Sequence, residues 1–190
     1  DANRERARSI ESALRRLTRL SEKLLQLAKA EGGGLLAEQP SDLAAVLALV
    51  VDEASRSSDE DDRIDLTMPD DGVPSDVDPD AFAVLARNLI ENALKHGVPD
   101  DPVEVLLERD SLTVRNHGPV VAAGEVERLM RPFERGASRS DGSGLGLAIV
   151  AAVCRGAGLK LTIASPVAGW PDGVAARVTG LAGKKPPLRS

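Results

Sequence analysis

The chain has 190 residues, enough to bury one real core and carry an appendage beside it. Its 24 basic and 30 acidic side chains sum to −6, and it holds two phenylalanines, one tryptophan and no tyrosine, so neither a phosphate-attracting charge nor an aromatic platform for bases favours nucleic acid as a partner. The single cysteine, Cys154, excludes an internal disulfide framework and a multi-cysteine metal site, which points to the cytosol, and no stretch reaches the roughly 18 unbroken apolar residues of a membrane span. The opening Asp-Ala-Asn-Arg-Glu-Arg is neither a start nor a leader, and reads as the cut edge of a longer protein.

Near the start, apolar residues fall at Ile10, Ala13, Leu17, Leu20, Leu24 and Leu27, the a and d positions of a heptad. That is a seam for a partner helix, and Leu14, Leu25 and Ala28 widen it toward a bundle face. Gly32-Gly33-Gly34 ends the helix, giving a helical segment over 1–31, a linker over 32–39, a folded domain over 40–182 and a disordered tail over 183–190. Within the domain, Ser41-Asp42 caps a second helix to about residue 55, and Asp59-Glu60-Asp61-Asp62 marks an exposed turn. Residues 64–68 alternate like a half-buried strand, and a Pro/Asp/Gly-rich stretch over 69–79 leads to a long helix over 80–96. Strands over 103–108 and 111–116 are joined by Arg109-Asp110 as a tight hairpin. The stretch 118–144 holds a short helix near 125–130 and is too long for a mere connector, which predicts a lid. A buried helix over 145–155, closed by Gly156 and Gly158, precedes strands near 159–164 and 173–179. The fold class predicted is α+β: a two-layer α/β sandwich, its sheet mixed but mostly antiparallel with helices on one face, preceded by an amphipathic helix.

Chemistry concentrates in two places. Asn88, Asn92 and Lys95 follow i, i+4, i+7 on one stripe of the long helix, beside the core stripe of Phe82, Leu85, Leu89 and Ala93. Asparagines are poor helix formers and costly to desolvate without partners, and an amide oxygen is a hard neutral ligand suited to Mg²⁺, which takes only one or two protein oxygens. Gly142-Ser143-Gly144-Leu145-Gly146-Leu147 opens the next helix, where free N–H groups and the positive dipole end can hold phosphate. Its spacing fits neither the dinucleotide fingerprint nor a P-loop.

Four segments in order, Asn88 to Gly97, Val114-Arg115-Asn116-His117-Gly118-Pro119, Arg131-Pro132-Phe133-Glu134-Arg135-Gly136 and Gly142 to Leu147, closely resemble the N, G1, F and G2 boxes of the ATP-binding domain of bacterial sensor histidine kinases. The resemblance covers about 40–182, and the N-terminal helix is similar to the second helix of that family's dimerisation and phosphoacceptor hairpin. It implies the Bergerat fold of the GHKL superfamily, ATP and Mg²⁺ as ligands, and transfer of the γ-phosphoryl group to a histidine for relay to a response regulator. Asn92 would ligate Mg²⁺ with Asn88 in support, Lys95 and His96 would lie near the phosphates, and Asn116 and Gly118 would line the adenine side. Arg135, with Arg139, would reach the γ-phosphate from the lid, Phe133 would anchor that lid, Gly142, Gly144 and Gly146 would let it fold over the triphosphate, and Leu145 would belong with them to the nucleotide site. The catalytic set would be Asn88, Lys95 and Arg135. The intact protein would be a homodimer through its N-terminal helix, anchored in the bacterial inner membrane by upstream segments, with this part facing the cytoplasm.

Three departures matter. The G1 box usually begins with aspartate where this chain has Asn116, and its second glycine is replaced by Val120. No His-Glu/Asp-x-Arg-x-Pro phosphoacceptor motif occurs, so the chain should bind ATP without phosphorylating itself. Asn88 stands where gyrase-type and chaperone-type ATPases of the same fold carry a basic glutamate, and a histidine acceptor, unlike water or serine, needs no such base. The alternatives are a degenerate ATP-binding and dimerisation module, or a serine kinase or ATPase of the superfamily.

Overall fold

A computed structural model describes residues 2–57, 63–134 and 143–183. In chain order the elements are α1 (Ala2–Glu31), β1 (Leu36–Asp42), α2 (Leu43–Ser57), β2 (Ile64–Thr67), β3 (Pro74–Val77), α3 (Pro79–His96), β4 (Val103–Glu108), β5 (Ser111–Asn116), α4 (Ala123–Leu129), α5 (Gly146–Ala157), β6 (Lys160–Ala164) and β7 (Val174–Thr179). Five strands form one sheet in the order β2-β4-β5-β7-β6, and β1 and β3 pair separately. β2 runs parallel to β4, while every other pairing is antiparallel. This is the mixed, mostly antiparallel two-layer α+β architecture expected from the sequence.

Alternation along β4 and β5 turns Val103, Val105, Leu107, Leu112 and Val114 to one face, where they are buried under α3 in the core that α5 completes. Those helices answer with Phe82, Leu85, Leu89 and Ile90 from α3 and Ile149, Val150 and Val153 from α5, all but fully buried. α3 begins sharply: Asp78 accepts a hydrogen bond from the Ala81 N–H at 2.8 Å, and Pro79 occupies the first turn, where its missing N–H costs nothing. α3 and α5 therefore lie side by side on one face of the sheet, and the N-terminal end of α5 meets the C-terminal half of α3.

Three features differ from the sequence reading, the first being β3, which forms inside the Pro/Asp/Gly-rich stretch over 69–79. β1 starts inside the stretch read as a linker, and it carries Pro40 and an almost wholly exposed pattern, so no apolar alternation announces it. It forms through backbone pairing with β3 and through Asp42, whose Oδ1 accepts from the N–H groups of Ala44 at 3.0 Å and Val73 at 2.8 Å. The heptad on α1 is divided: Leu27 and Ala30 are buried and Leu20 partly buried against the chain's own core, while Ile10, Ala13, Leu17 and Leu24 stay exposed. The acidic run at 59–62 and the tail at 184–190 lie outside the described residues.

Candidate functional site

The C-terminal half of α3 is met from two sides. On the first, Asn88 is 2% exposed; its Nδ2 donates to the Val84 carbonyl one turn back at 2.8 Å, and its Oδ1 accepts from the Lys23 ammonium of α1 at 3.1 Å. The same ammonium pairs with Glu91 at 2.8 Å, so both ends of Asn88 are held. Asn92, one turn further, is different: its Nδ2 is buried and has no hydrogen-bond partner among the described residues. A desolvated amide donor left empty costs about 1–3 kcal/mol, which points to a ligand that completes it.

What stands opposite is the start of α5. A Cβ on Gly146 would come within 2.8 Å of Asn92 Nδ2 and 2.9 Å of its Oδ1, so only glycine lets the helix end sit on that amide. No side chain among the described residues caps α5, whose first N–H groups have no helical partner and whose dipole favours an anion. An uncommitted amide at an uncapped helix N-terminus fits a phosphate with its accompanying cation. Leu145, just before it, is fully buried and anchors the turn in the core.

On the second side, β5 ends at Asn116, which is 6% exposed and whose Nδ2 donates to the His117 carbonyl at 2.8 Å. Two glycines make room for it. A Cβ on Gly97 would lie 2.7 Å from the Ala93 carbonyl oxygen and 3.3 Å from Asn116 Cβ, and one on Gly118 would lie 2.8 Å from the His96 carbonyl oxygen. The Val98 N–H also donates to the His117 carbonyl at 3.0 Å, stitching the end of α3 to the end of β5.

The structure thus brings Asn88, Asn92, Gly146, Asn116 and Gly118 around one stretch of α3. Lys95 and His96 stand exposed in its last turn, where the His96 imidazole titrates below its usual range because of partial loss of water and, second, the neighbouring Lys95 ammonium. Phe133 is 60% exposed, so the hydrophobic anchoring expected of it is not made here; instead its N–H donates to the Gly144 carbonyl at 3.1 Å, tying together the two stems of the expected lid. Both stem residues have positive φ, 65° at Phe133 and 69° at Gly144. The expected roles of Arg135, Arg139 and Gly142 fall outside the described residues. Sequence reading missed Lys23, which no local pattern ties to a residue 65 positions away. It also missed Trp170 and Asp172, which lie against His117.

The family described as histidine kinase-, DNA gyrase B- and HSP90-like ATPase matches residues 77–179. Among individual proteins, the chain is similar to "Sensor protein QseC" of Escherichia coli O157:H7, at 29% identity over 157 residues, 80% of this chain and 34% of that protein. It is also similar to "Probable sensor histidine kinase TcrY" of Mycobacterium tuberculosis, at 32% identity over 164 residues, 82% of this chain and 34% of that protein. The chain thus spans about a third of the length of these relatives. The solved structure of full-length ShkA in complex with AMPPNP shares the fold, with a TM-score of 0.70 at 22% identity, covering 96% of this chain and 40% of that one. The described parts of the N, G1 and G2 boxes that meet at α3 and the match from the end of β3 through β7 lead to one conclusion: this chain belongs to the histidine kinase-, DNA gyrase B- and HSP90-like ATPase family and carries the ATP-binding domain found in sensor histidine kinases.

Proposed function

We propose that this chain is the catalytic part of a sensor histidine kinase, binding Mg-ATP and delivering its γ-phosphoryl group to a histidine upstream of α1, for relay to the aspartate of a response regulator. Residues 1–31 would be the second helix of the dimerisation hairpin, 32–39 its connection and 40–182 the catalytic domain. The observation that carries this reading is the orphaned amide of Asn92 facing the uncapped start of α5 across Gly146. Magnesium bound by the amide oxygen of Asn92, with Asn88 beside it, would neutralise charge on the triphosphate. The start of α5 would hold phosphate oxygens, Lys95, His96 and Arg135 would lie around the phosphates, and Asn116 and Gly118 would receive the adenine. No carboxylate stands at position 88 to act as a base on water, and the one on Glu91 is turned to Lys23.

The exposed heptad residues Ile10, Ala13, Leu17 and Leu24 suit a homodimer seam in the intact protein. No helix among the described residues is long and apolar enough to cross a membrane, so the membrane anchor of the intact kinase would lie upstream. Calorimetry tests the core of the proposal. The chain is expected to bind ATP in a Mg²⁺-dependent way, and Asn92→Ala to weaken binding at least about thirtyfold, roughly 2 kcal/mol, without covalent label from γ-labelled ATP remaining on the chain. Binding unchanged by Asn92→Ala overturns it. A chain that dimerises but gives no Mg-dependent heat with ATP would favour a degenerate module, the reading to which Asn116 and the exposed Val120 lend support.

A further inference from the structure

The turn between β6 and β7 belongs to none of the nucleotide boxes, yet it grips the end of β5 from behind. The Trp170 indole lies flat on the His117 imidazole, with ring centroids 3.9 Å apart and planes inclined by 7°. The Arg115 guanidinium sits 5.2 Å from the same indole centroid. Asp172 Oδ1 is 2.8 Å from His117 Nδ1, and a carboxylate can only accept, so the ring donates from Nδ1. The backbone closes the grip: the Gly173 N–H donates to the Gly118 carbonyl at 2.8 Å. Ser165 Oγ accepts from the Val121 N–H at 2.9 Å and donates to the Gly173 carbonyl at 2.7 Å.

Strand alternation makes this grip consequential. Side chains along β5 and its extension point alternately to opposite faces, so Arg115 and His117 face the turn while Asn116 faces α3. The His117 carbonyl is the group that holds Asn116 Nδ2. An amide has one donating and one accepting end, so fixing Nδ2 on that carbonyl leaves Oδ1 as the end offered to a ligand. Where a carboxylate would accept from either oxygen, this amide must be oriented, and what orients it is a residue stacked and hydrogen-bonded in place by the turn.

We infer that Trp170 and Asp172 are positioning residues for base selection: by locking His117 they make Asn116 present Oδ1 to the exocyclic amino group of adenine and oppose guanine, which offers an accepting oxygen at the same place. The inference rests on the reading that Asn116 faces the base. Its test is calorimetric titration of the full chain with Mg-ATP and with Mg-GTP, comparing Trp170→Ala, Asp172→Ala and Trp170→Phe with the parent. Trp170→Ala and Asp172→Ala should each weaken ATP binding about five- to tenfold with GTP binding unchanged, collapsing the ATP/GTP ratio, and Trp170→Phe should restore most of it, since a phenyl ring still stacks. A merely structural role would weaken both nucleotides alike and leave the ratio standing, which overturns the inference. Should Trp170→Ala fail to fold, Asp172→Ala and Trp170→Phe decide the matter by the same ratio. A parent chain that binds ATP and GTP equally would sink the reading of Asn116 itself, whereas a parent that prefers ATP with variants that prefer it equally would sink only the role of the turn.

Discussion

On the base side of the site Asn116 is buried, its Nδ2 is held, and two loops close around it; on the phosphate side Asn92 is half-buried, and its buried Nδ2 has no hydrogen-bond partner among the described residues. Both sides are built on the same helix and both rely on glycines for close approach, but the glycines serve different ends. Gly173, Gly97 and Gly118 let one piece of backbone press on another, whereas Gly146 makes room for a side-chain amide. The base side is therefore finished by folding, and the phosphate side is left for its ligand to finish. Substitutions of the glycines on the first should be felt in stability, and of Gly146 on the second in binding.

The largest effect belongs to Gly173. It has φ 82°, and a Cβ there would lie 2.3 Å from the Asn116 carbonyl oxygen, a backbone atom that cannot step aside. Left-handed strain and overpacking together put the cost of Gly173→Ala at about 3 kcal/mol, a fall in melting temperature of roughly 9 °C. Thermal unfolding followed by circular dichroism measures it. A midpoint within about 2 °C of the parent would show that the base side is less rigidly assembled than its contacts indicate.

Gly146→Ala should do the reverse. Here the new methyl meets only the far end of the Asn92 side chain, which can swing away, and alanine is the better helix former by about 0.5–1 kcal/mol. The melting temperature should stay within about 2 °C or rise, while Mg-ATP affinity in calorimetry falls about tenfold or more because the amide has been pushed from its place. Intact affinity, or an affinity lost only together with the fold, would erase the distinction between the two sides.

How much of this was legible in advance follows from what kind of interaction each feature uses. β4 and β5 are legible at their observed ends because alternating burial writes itself into alternating residues, and α3 to within one residue because the Pro/Asp/Gly-rich stretch over 69–79 sets off its apolar stripe. β1 and β3 escaped because their pairing is made by main-chain groups under polar side chains such as Ser75, which leaves no hydrophobic period to see. The same divide runs through the site. The spacing of Asn88 and Asn92 and the cluster of glycines from Gly142 to Gly146 are local and therefore visible. Lys23 on Asn88 and Trp170 on His117 join positions far apart in the chain, and nothing about a lysine among the basic residues of α1 or a tryptophan in a Pro-Asp-Gly turn announces its partner.

Between the two sides stands His96, the last residue of α3, whose carbonyl supports Gly118 on the base side and whose ring lies next to Lys95 on the other. Its imidazole is held below the usual 6.5 by loss of water first and by the Lys95 charge second. The folded state therefore binds its proton less readily than the unfolded chain does. Above pH 6.5 both states are neutral and no stability is lost; as pH falls through 6.5 the unfolded chain takes up the proton first, and stability drops until the pH passes the lowered folded value, below which the loss levels off. His96→Gln removes this contribution alone, so the fall in urea midpoint between pH 7.5 and pH 5.5 should be smaller in the variant than in the parent, a modest difference because the residue is exposed. An equal fall in both chains would mean that His96 titrates alike folded and unfolded, and that neither the partial loss of water nor the Lys95 charge at the end of α3 shifts its proton affinity.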